Sequence, residues 1–436
     1  MNSLDYLLSF QRFGIKLGLD NITFLLRQTG DPHHNFPSIH VTGTNGKGSV
    51  VAFIHSVLMS MGYRVGRYIS PHLVDFSERI LVNNTPISPS EIEQLVDELR
   101  PIIDSMLKDT NLGHPTFFEA VTAMAFQHFF RHKVDIAVVE VGMGGRYDST
   151  NVIQPCLSII TNVNMEHKEY LGDTLEKIAI EKAGIIKPTV EVVSAVDQPE
   201  VRKIIDDKAE KYGSAVYYLS RDFHVEARRG DFPRQWVDFS SPQKKLKDVE
   251  INLAGDFQVK NAAVALMGLE ILGRKGVTLQ DENALRSGMA QARWPARLEK
   301  LADSPTLVLD GGHNPSGVRS LVNAIRELFP RKRFVLVLAM LADKDVTECL
   351  RTLRELTNSI IVTRCTYERA MPADQLARLA SGIFENVRCE PSIAAALKEA
   401  YTLAKPNDVI LATGSLFNVA EVMKFVSDRL TKRAHP

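Results

Sequence analysis

Two rhythms of apolar and polar residues alternate along the chain. Short apolar runs at Ser38-Ile39-His40-Val41, Arg64 to Ile69 and Leu157 to Val163 read as strands, and Val134 to Gly142 has the unbroken character of a strand buried on both faces of a parallel sheet. Between the runs, apolar positions fall at helical spacing. Val50, Ala52, Ile54, Val57 and Leu58 predict one helix, and Phe117, Val121, Met124, Ala125 and His128 predict another, opened by Thr116-Phe117-Phe118-Glu119. Ser88-Pro89-Ser90-Glu91 marks a helix start, with Ser88 as N-cap, Pro89 in the first turn and Glu91 placed to close a capping box, and the helix runs towards Met106. Residues 4 to 29 read as helix in two pieces around the segment Gly14 to Asp20, and Asp31-Pro32 and Phe36-Pro37 break the chain before the first strand.

The alternation continues with a strand from Val190 to Val196 and a charged helix. A polar stretch around Arg228 to Lys247 reads as an irregular surface hairpin, and an alanine-rich helix runs from Phe257 to near Gly273. Arg293-Trp294-Pro295-Ala296-Arg297 then interrupts the pattern, which sets a boundary between domains 1–295 and 296–436. Beyond it come the strand Thr306 to Asp310, the loop Gly311-Gly312-His313-Asn314-Pro315 and the helix Ser316 to Phe329. Strands at Arg333 to Ala339, Ser359 to Thr363 and Asp408 to Thr413 complete a second parallel sheet. The fold class is α/β.

Composition adds exclusions. A chain of 436 residues has room for about two to three domains, and its 44% hydrophobic and 24% charged residues suit a globular protein. Lysine plus arginine equals aspartate plus glutamate at 52 each, so overall charge calls for neither nucleic acid nor an anionic membrane. Cys156, Cys349, Cys365 and Cys389 lie far apart without paired spacing, as reduced thiols do. The opening Met1-Asn2-Ser3-Leu4-Asp5-Tyr6 has no basic region before a long apolar run, and no stretch of about 18 apolar residues occurs. These features set the expectation of a cytoplasmic protein.

The chemistry centres on Gly43-Thr44-Asn45-Gly46-Lys47-Gly48-Ser49, between a strand and a helix. Three glycines let backbone N–H groups turn inward on an anion, the helix adds its positive end, and Lys47 and Ser49 offer a charge and a hydroxyl for phosphate and Mg²⁺. A lone Gly-Lys pair is more often a turn with a solvated lysine, but here strand and helix stand on the correct sides. The spacing departs from G-x-x-x-x-G-K-[ST], since three residues separate Gly43 from Lys47 and Gly48 precedes Ser49. Other polar groups collect at strand ends. Ser70 follows the second strand, Glu140 closes the buried one, and His167 lies just past Leu157 to Val163, where open α/β sheets bind ligands. Singly, each is an ordinary surface or strand-end residue; Glu140 and His167 with the glycine loop, three groups at neighbouring strand ends, suggest a metal site. The glycine-rich loop Gly142 to Asp148 is expected to approach a substrate. In the helix Thr174 to Gly184, Leu175, Ile178, Ala179 and Lys182 share one stripe, which places a lysine on the apolar face. Such a lysine either snorkels past the helix end or is a desolvated amine open to modification.

In order along nearly the whole chain, Gly43 to Ser49, Ser70-Pro71-His72-Leu73, Thr116 to Glu119, Glu140-Val141-Gly142, Glu166-His167, Glu181-Lys182-Ala183-Gly184-Ile185, Arg297 and Asp310 to Pro315 resemble the folylpolyglutamate synthase and dihydrofolate synthase family, relatives of the Mur peptide ligases. Glu166 and Gly312 stand where that family more often has Asp and Ala. The resemblance implies an N-terminal P-loop-type ATPase domain with a parallel sheet and a smaller C-terminal Rossmann-like domain. The two would close on a nucleotide. It further implies ATP-dependent amide formation through an acyl phosphate, joining L-glutamate to folate or to 7,8-dihydropteroate; no motif fixes which.

By the same resemblance, Asn45, Gly46, Lys47, Gly48, Ser49, Asn261, Arg297 and Asp310 would bind ATP, with His313 facing the phosphates. Ser70, Glu140 and His167 would bind Mg²⁺. Lys182, carbamoylated by CO₂, would serve a second Mg²⁺, and Thr116, Phe117, Phe118 and Glu119, with the segment around Gly18, would border the pterin. The expected partners are small molecules, without nucleic acid or membrane, and the expected state is a monomer. Two rival readings stand beside this one. A Mur-type ligase acting on a cell-wall precursor usually has an extra N-terminal domain, whereas only residues 1–37 precede the first strand. A nucleotide-driven switch ATPase would not need glutamate for turnover.

Overall fold

The computed structural model describes residues 3–434 except 15, 109–111, 229 and 278–280, so Ile15 of the expected break between the first helices lies outside the described residues. The first sheet contains β1 (Ser38–Thr42), β2 (Val65–Tyr68), β3 (Ile80–Val82), β4 (Thr85–Pro86), β5 (Ile136–Glu140), β6 (Leu157–Ile160), β7 (Val192–Ser194) and β8 (Val216–Tyr218). Their order across the sheet is β4-β3-β2-β5-β1-β6-β7-β8. The glycine-loop strand β1 thus lies between β5 and β6, parallel to both. The carboxyl ends of these three strands point the same way, and the loops that follow them are neighbours. This is the switch point of an open sheet, where the chain leaves β1 towards one side and β5 towards the other. Only β3 runs against the others, pairing antiparallel with β2 and with the short edge strand β4.

Each strand of the centre is buried along its whole length. One face packs against Pro89–Met106 and Phe117–Arg131 through Leu95, Leu99, Ile103, Val121, Met124 and Phe129. The helix Lys47–Ser60 is apolar nearly all round and buries Val50, Phe53, Ile54, Val57 and Leu58. It is met by Glu282–Gln291, a helix the pattern did not announce; a Cβ on Gly288 would stand 2.4 Å from the Val57 backbone, so glycine is what lets the two helices touch.

Where an irregular hairpin was expected around Arg228 to Lys247, the structure has a sheet of three strands. These are β9 (His224–Arg228), β10 (Gln235–Ser240) and β11 (Lys245–Ile251), in the order β11-β10-β9. The correction has a simple cause: Val237, Phe239, Leu246, Val249 and Ile251 are buried in a stretch that is otherwise mostly polar.

The remaining sheet consists of β12 (Glu299–Asp303), β13 (Thr306–Leu309), β14 (Phe334–Leu338), β15 (Ser359–Val362), β16 (Asn386–Cys389) and β17 (Val409–Thr413), ordered β12-β13-β17-β14-β15-β16. All are parallel except β12, which pairs antiparallel with β13. Contacts divide the chain into two compact units. One holds residues 1–226, 237–250 and 260–292, the other 227–236, 251–259 and 293–436. A single cut at 295/296 does not capture the two short segments that join the second unit. No helix among the described residues is long and apolar enough to cross a membrane.

Candidate active site

The loop after β1 is shaped by two glycines in left-handed backbone, Gly43 at φ +147° and Gly46 at φ +86°. Gly46 immediately precedes the helix Lys47–Ser60, and a Cβ on it would stand 2.4 Å from Asn261 Oδ1. The Val50 N–H is the first to bond back, to the Gly46 carbonyl at 3.0 Å, so the N–H groups of Lys47, Gly48 and Ser49 lie ahead of the helical ladder. The loop is fastened to the end of β6. Thr44 N–H donates to the Asn162 carbonyl (3.0 Å), Asn45 N–H to Asn162 Oδ1 (2.9 Å), and the Thr161 hydroxyl to the Asn45 carbonyl (2.6 Å). A Cβ on Gly43 would overlap that hydroxyl at 1.8 Å. Gly43→Ala is therefore expected to destabilise the unit by about 1–3 kcal/mol and weaken nucleotide binding, measured by urea denaturation and by ADP titration.

Lys47 Nζ donates to the Gly43 carbonyl at 2.8 Å and lines a cleft of about 200 Å³ with Thr42, Gly142, Gly144, Glu166 and His167. Lys182 is 1% exposed and its Nζ donates to Glu166 Oε1 at 2.5 Å. The amine therefore does not snorkel; it ends inside the protein. Burial pushes its pKa down, and the Glu166 carboxylate opposes that shift. For Glu166, burial pushes the carboxyl up, but Lys182 and then Lys47 outweigh it and hold the group at about 2. Two ammonium groups thus act on one ionised carboxylate, an excess of positive charge beside a helix N-terminus. That arrangement receives an anion.

The donors expected for Mg²⁺ fall at neighbouring strand ends. Glu140, the last residue of β5, is 5% exposed, and its Oε2 accepts from the Ser70 N–H at 3.3 Å. His167, in left-handed backbone at φ +42°, lines the cleft. One carboxylate beside one hydroxyl fits magnesium, which keeps several waters and takes its other oxygens from phosphates. Ser49, whose hydroxyl was expected to join them, is buried at the start of its helix.

The loop after β5 lines the cleft with Gly142, Met143 and Gly144, and it is also tightly packed behind it. A Cβ on Gly145 would stand 2.8 Å from the Glu181 carbonyl, one on Gly184 2.4 Å from Arg146 Cα, and one on Gly142 2.5 Å from the Phe118 ring. Much of the glycine content lets the loop pack against the helix Leu175–Ala183 and against Phe118. The loop is held by Asp148, a buried residue that the sequence reading missed. Its carboxylate accepts from Met143 N–H (2.8 Å), Thr150 N–H (3.0 Å) and the Thr150 hydroxyl (2.5 Å). The Asp148-Ser149-Thr150 pattern of a cap was the available signal.

Thr116 and Glu119 form a capping box at the start of Phe117–Arg131, with Thr116 N–H donating to Glu119 Oε2 at 2.7 Å. Both are buried, which assigns their side chains to the helix end. Phe118 stacks near Tyr68 with centroids 5.9 Å apart, and Phe117 lies under the Arg79 guanidinium at 5.3 Å.

In the second unit, Asp310 follows β13 and is 4% exposed. Its two oxygens accept from Gly312 N–H (2.7 Å) and Leu298 N–H (3.0 Å). Burial pushes its pKa up, against the pull of Arg297. Arg297 stands between Ala296 and Leu298, both left-handed, and His313 Nδ1 is 2.9 Å from the Gly311 carbonyl. Arg297, Asp310 and the His313 loop are thus assembled at one strand end.

Comparison with known proteins gives this arrangement its family. The Mur ligase middle domain matches residues 41–269, and the Mur ligase glutamate ligase domain matches residues 296–416. The dihydrofolate synthase/folylpolyglutamate synthase of Bacillus subtilis is 36% identical over 415 residues, covering 95% of this chain and 96% of its own. The chain belongs to the folylpolyglutamate synthase and dihydrofolate synthase family of Mur ligases. It is an enzyme of the acid–amino-acid ligase class, which forms C–N bonds. Among solved structures, folylpolyglutamate synthase of Mycobacterium tuberculosis complexed with ADP and AMPPCP superposes on the ligase with a TM-score of 0.90 at 31% identity, covering 98% of this chain and 99% of that one. E. coli FolC in complex with DHPP and ADP gives 0.87 at 28% identity, covering 98% of each.

Proposed function

We propose that this ligase uses ATP to join L-glutamate to a folate carboxylate, and to that of 7,8-dihydropteroate as well. The observation that carries the reading is the anion receptor of the glycine loop, where the Lys47, Gly48 and Ser49 amides and the Lys47 ammonium stand beside the Lys182–Glu166 pair. A carboxylate oxygen of the pterin substrate attacks the γ-phosphorus and the bond to ADP breaks. The α-amine of glutamate then attacks the acyl carbon, loses a proton, and inorganic phosphate leaves.

In this reading the chain's task is to hold anions together and offset their charge, for which Lys47 and the loop amides are placed. Ser70, Glu140 and His167 would hold magnesium, which would supply charge neutralisation to the phosphates. Asn45, Gly46, Asn261, Arg297, Asp310 and His313 serve the nucleotide, with 1–295 the ATP-binding and 296–436 the ligase domain. Thr116 to Glu119 shape the edge of the pterin site through Phe117 and Phe118. Lys182 takes up CO₂ as a carbamate, which converts a buried cation into a ligand for a second magnesium. The ligase acts on small molecules as a monomer in the cytoplasm, a compartment that suits the four free cysteines among the described residues.

The test is mass spectrometry of products formed with ATP, Mg²⁺ and L-glutamate, from 7,8-dihydropteroate in one reaction and tetrahydrofolate in another. Glutamate addition to both is expected. Addition to tetrahydrofolate alone would restrict the ligase to chain extension, and ADP release independent of glutamate would overturn the reading in favour of a switch ATPase.

A further inference from the structure

A second constellation lies away from the cleft, where the helix Phe117–Arg131 ends. His128 is in its last turn and His132 caps it, so the two imidazoles are four residues apart on one face, with ring centroids 4.2 Å apart. Opposite stands Glu91, in the first turn of the neighbouring helix Pro89–Met106. Its Oε1 is 2.7 Å from His132 Nε2 and 3.7 Å from His128 Nδ1, and the three atoms all lie within 4.8 Å of one another. Its other oxygen, Oε2, accepts from the Ser88 N–H (2.9 Å) and the Ser88 hydroxyl (2.6 Å). The cap therefore fixes the carboxylate and directs its remaining oxygen at the two rings. Arg131, the nearest cation on the same helix, is engaged by Glu98.

We propose that Glu91, His128 and His132 form a transition-metal site that takes zinc or a similar divalent ion, with water as the remaining ligand. Two ligands of one tetrahedral ion at bond lengths of about 2.0–2.1 Å stand roughly 3.3 Å apart. The 3.7 Å separation is too long for a hydrogen bond but close to that spacing, and the 2.7 Å contact needs to open by only about half an ångström. Two imidazoles with one carboxylate suit zinc, cobalt or nickel better than magnesium, which takes most of its ligands as oxygen. The Ser88 bonds are the outer-shell support that such ligands commonly have. Glu91 and His132 are part-exposed while His128 is buried, so an ion reaches the site from solvent and ends against the core. About 20 Å of helix separates His132 from Phe118 and the cleft, so the ion would clamp two helices and take no part in ligation.

The test uses the full-length protein freed of metal and titrated with Co²⁺ alone, then with Zn²⁺ alone. One equivalent of Co²⁺ is expected to give the visible absorption of a four-coordinate site, displaced by Zn²⁺ and not by excess Mg²⁺. Glu91→Gln and His132→Ala are each expected to weaken binding by about 100-fold or more with an unchanged far-ultraviolet spectrum. Absence of that absorption in the parent protein, or equal binding in the His132→Ala variant, would overturn the proposal.

Discussion

Ligation by a Lys47→Ala enzyme is expected to fall by about 10²–10³-fold, with folding unchanged. Lys47 is the first residue of its helix, and Nζ donates to carbonyls of its own loop, those of Gly43 at 2.8 Å and Thr44 at 3.4 Å. Alanine is a better helix former, so the fold loses little. Function loses the mobile charge of the receptor, which in the phosphoryl-transfer reading offsets negative charge moving between two anions. The loss should appear in kcat at saturating ATP, not in substrate affinity alone. Lys47→Arg is expected to fail as well, because a planar, rigid guanidinium cannot replace a compact ammonium that folds back into a loop held by Thr161 and Asn162. Steady-state kinetics with thermal denaturation of the same samples decide the matter: an active, folded Lys47→Ala enzyme would remove the glycine loop from the chemistry.

The parts of this site that the sequence makes legible are those where a residue breaks a periodic pattern. Glu140 ends an otherwise apolar strand and Lys182 sits on an apolar helical stripe, and both are buried in the structure. The strand, glycine loop and helix around Lys47 are legible because each has its own rhythm, and parallel strands with unbroken apolar runs are hard to mistake. Other features leave weaker marks. The peripheral strands β3, β4 and β12 are two to five residues long, too short for periodicity to register. In β10, only Val237 and Phe239 are buried, among polar neighbours that disguise the alternation.

Glycines and acids are the residues whose roles the pattern leaves open. Gly142 and Gly145 follow a strand at the ligand edge, as a substrate loop would, and their missing Cβ atoms also make room for Phe118 and for the Lys182 helix. Asp148 and Glu119 are spent on backbone N–H groups. Proximity along the chain does not distinguish an acid that caps from one that binds; only the partner in space does.

Lys182→Ala is expected to abolish ligation, and the way the activity returns tells what Lys182 is. As it stands, its ammonium neutralises Glu166, whose side chain is 13% exposed. Removing Lys182 leaves the carboxylate with Lys47 alone to offset it, at a cost below the roughly 3–5 kcal/mol of a fully stranded buried charge, so a lower Tm is expected alongside the lost activity. If Lys182 acts only as that cation, a small amine such as methylammonium should fill the cavity, pair with Glu166 and restore both stability and turnover. The proposed carbamate predicts the opposite ligand. A neutral amine attacks CO₂, an N–C bond forms, a proton leaves to solvent, and the side chain becomes an anion beside Glu166, tolerable only with divalent cations to offset the two charges. Formate or acetate with Mg²⁺ should then rescue turnover where methylammonium does not, and wild-type enzyme supplied with ¹³C-labelled CO₂ should show a carbamate carbon signal that Lys182→Ala lacks. Rescue by the amine alone would make Lys182 a structural counterion, and full activity in the unsupplemented variant would remove it from the reaction altogether.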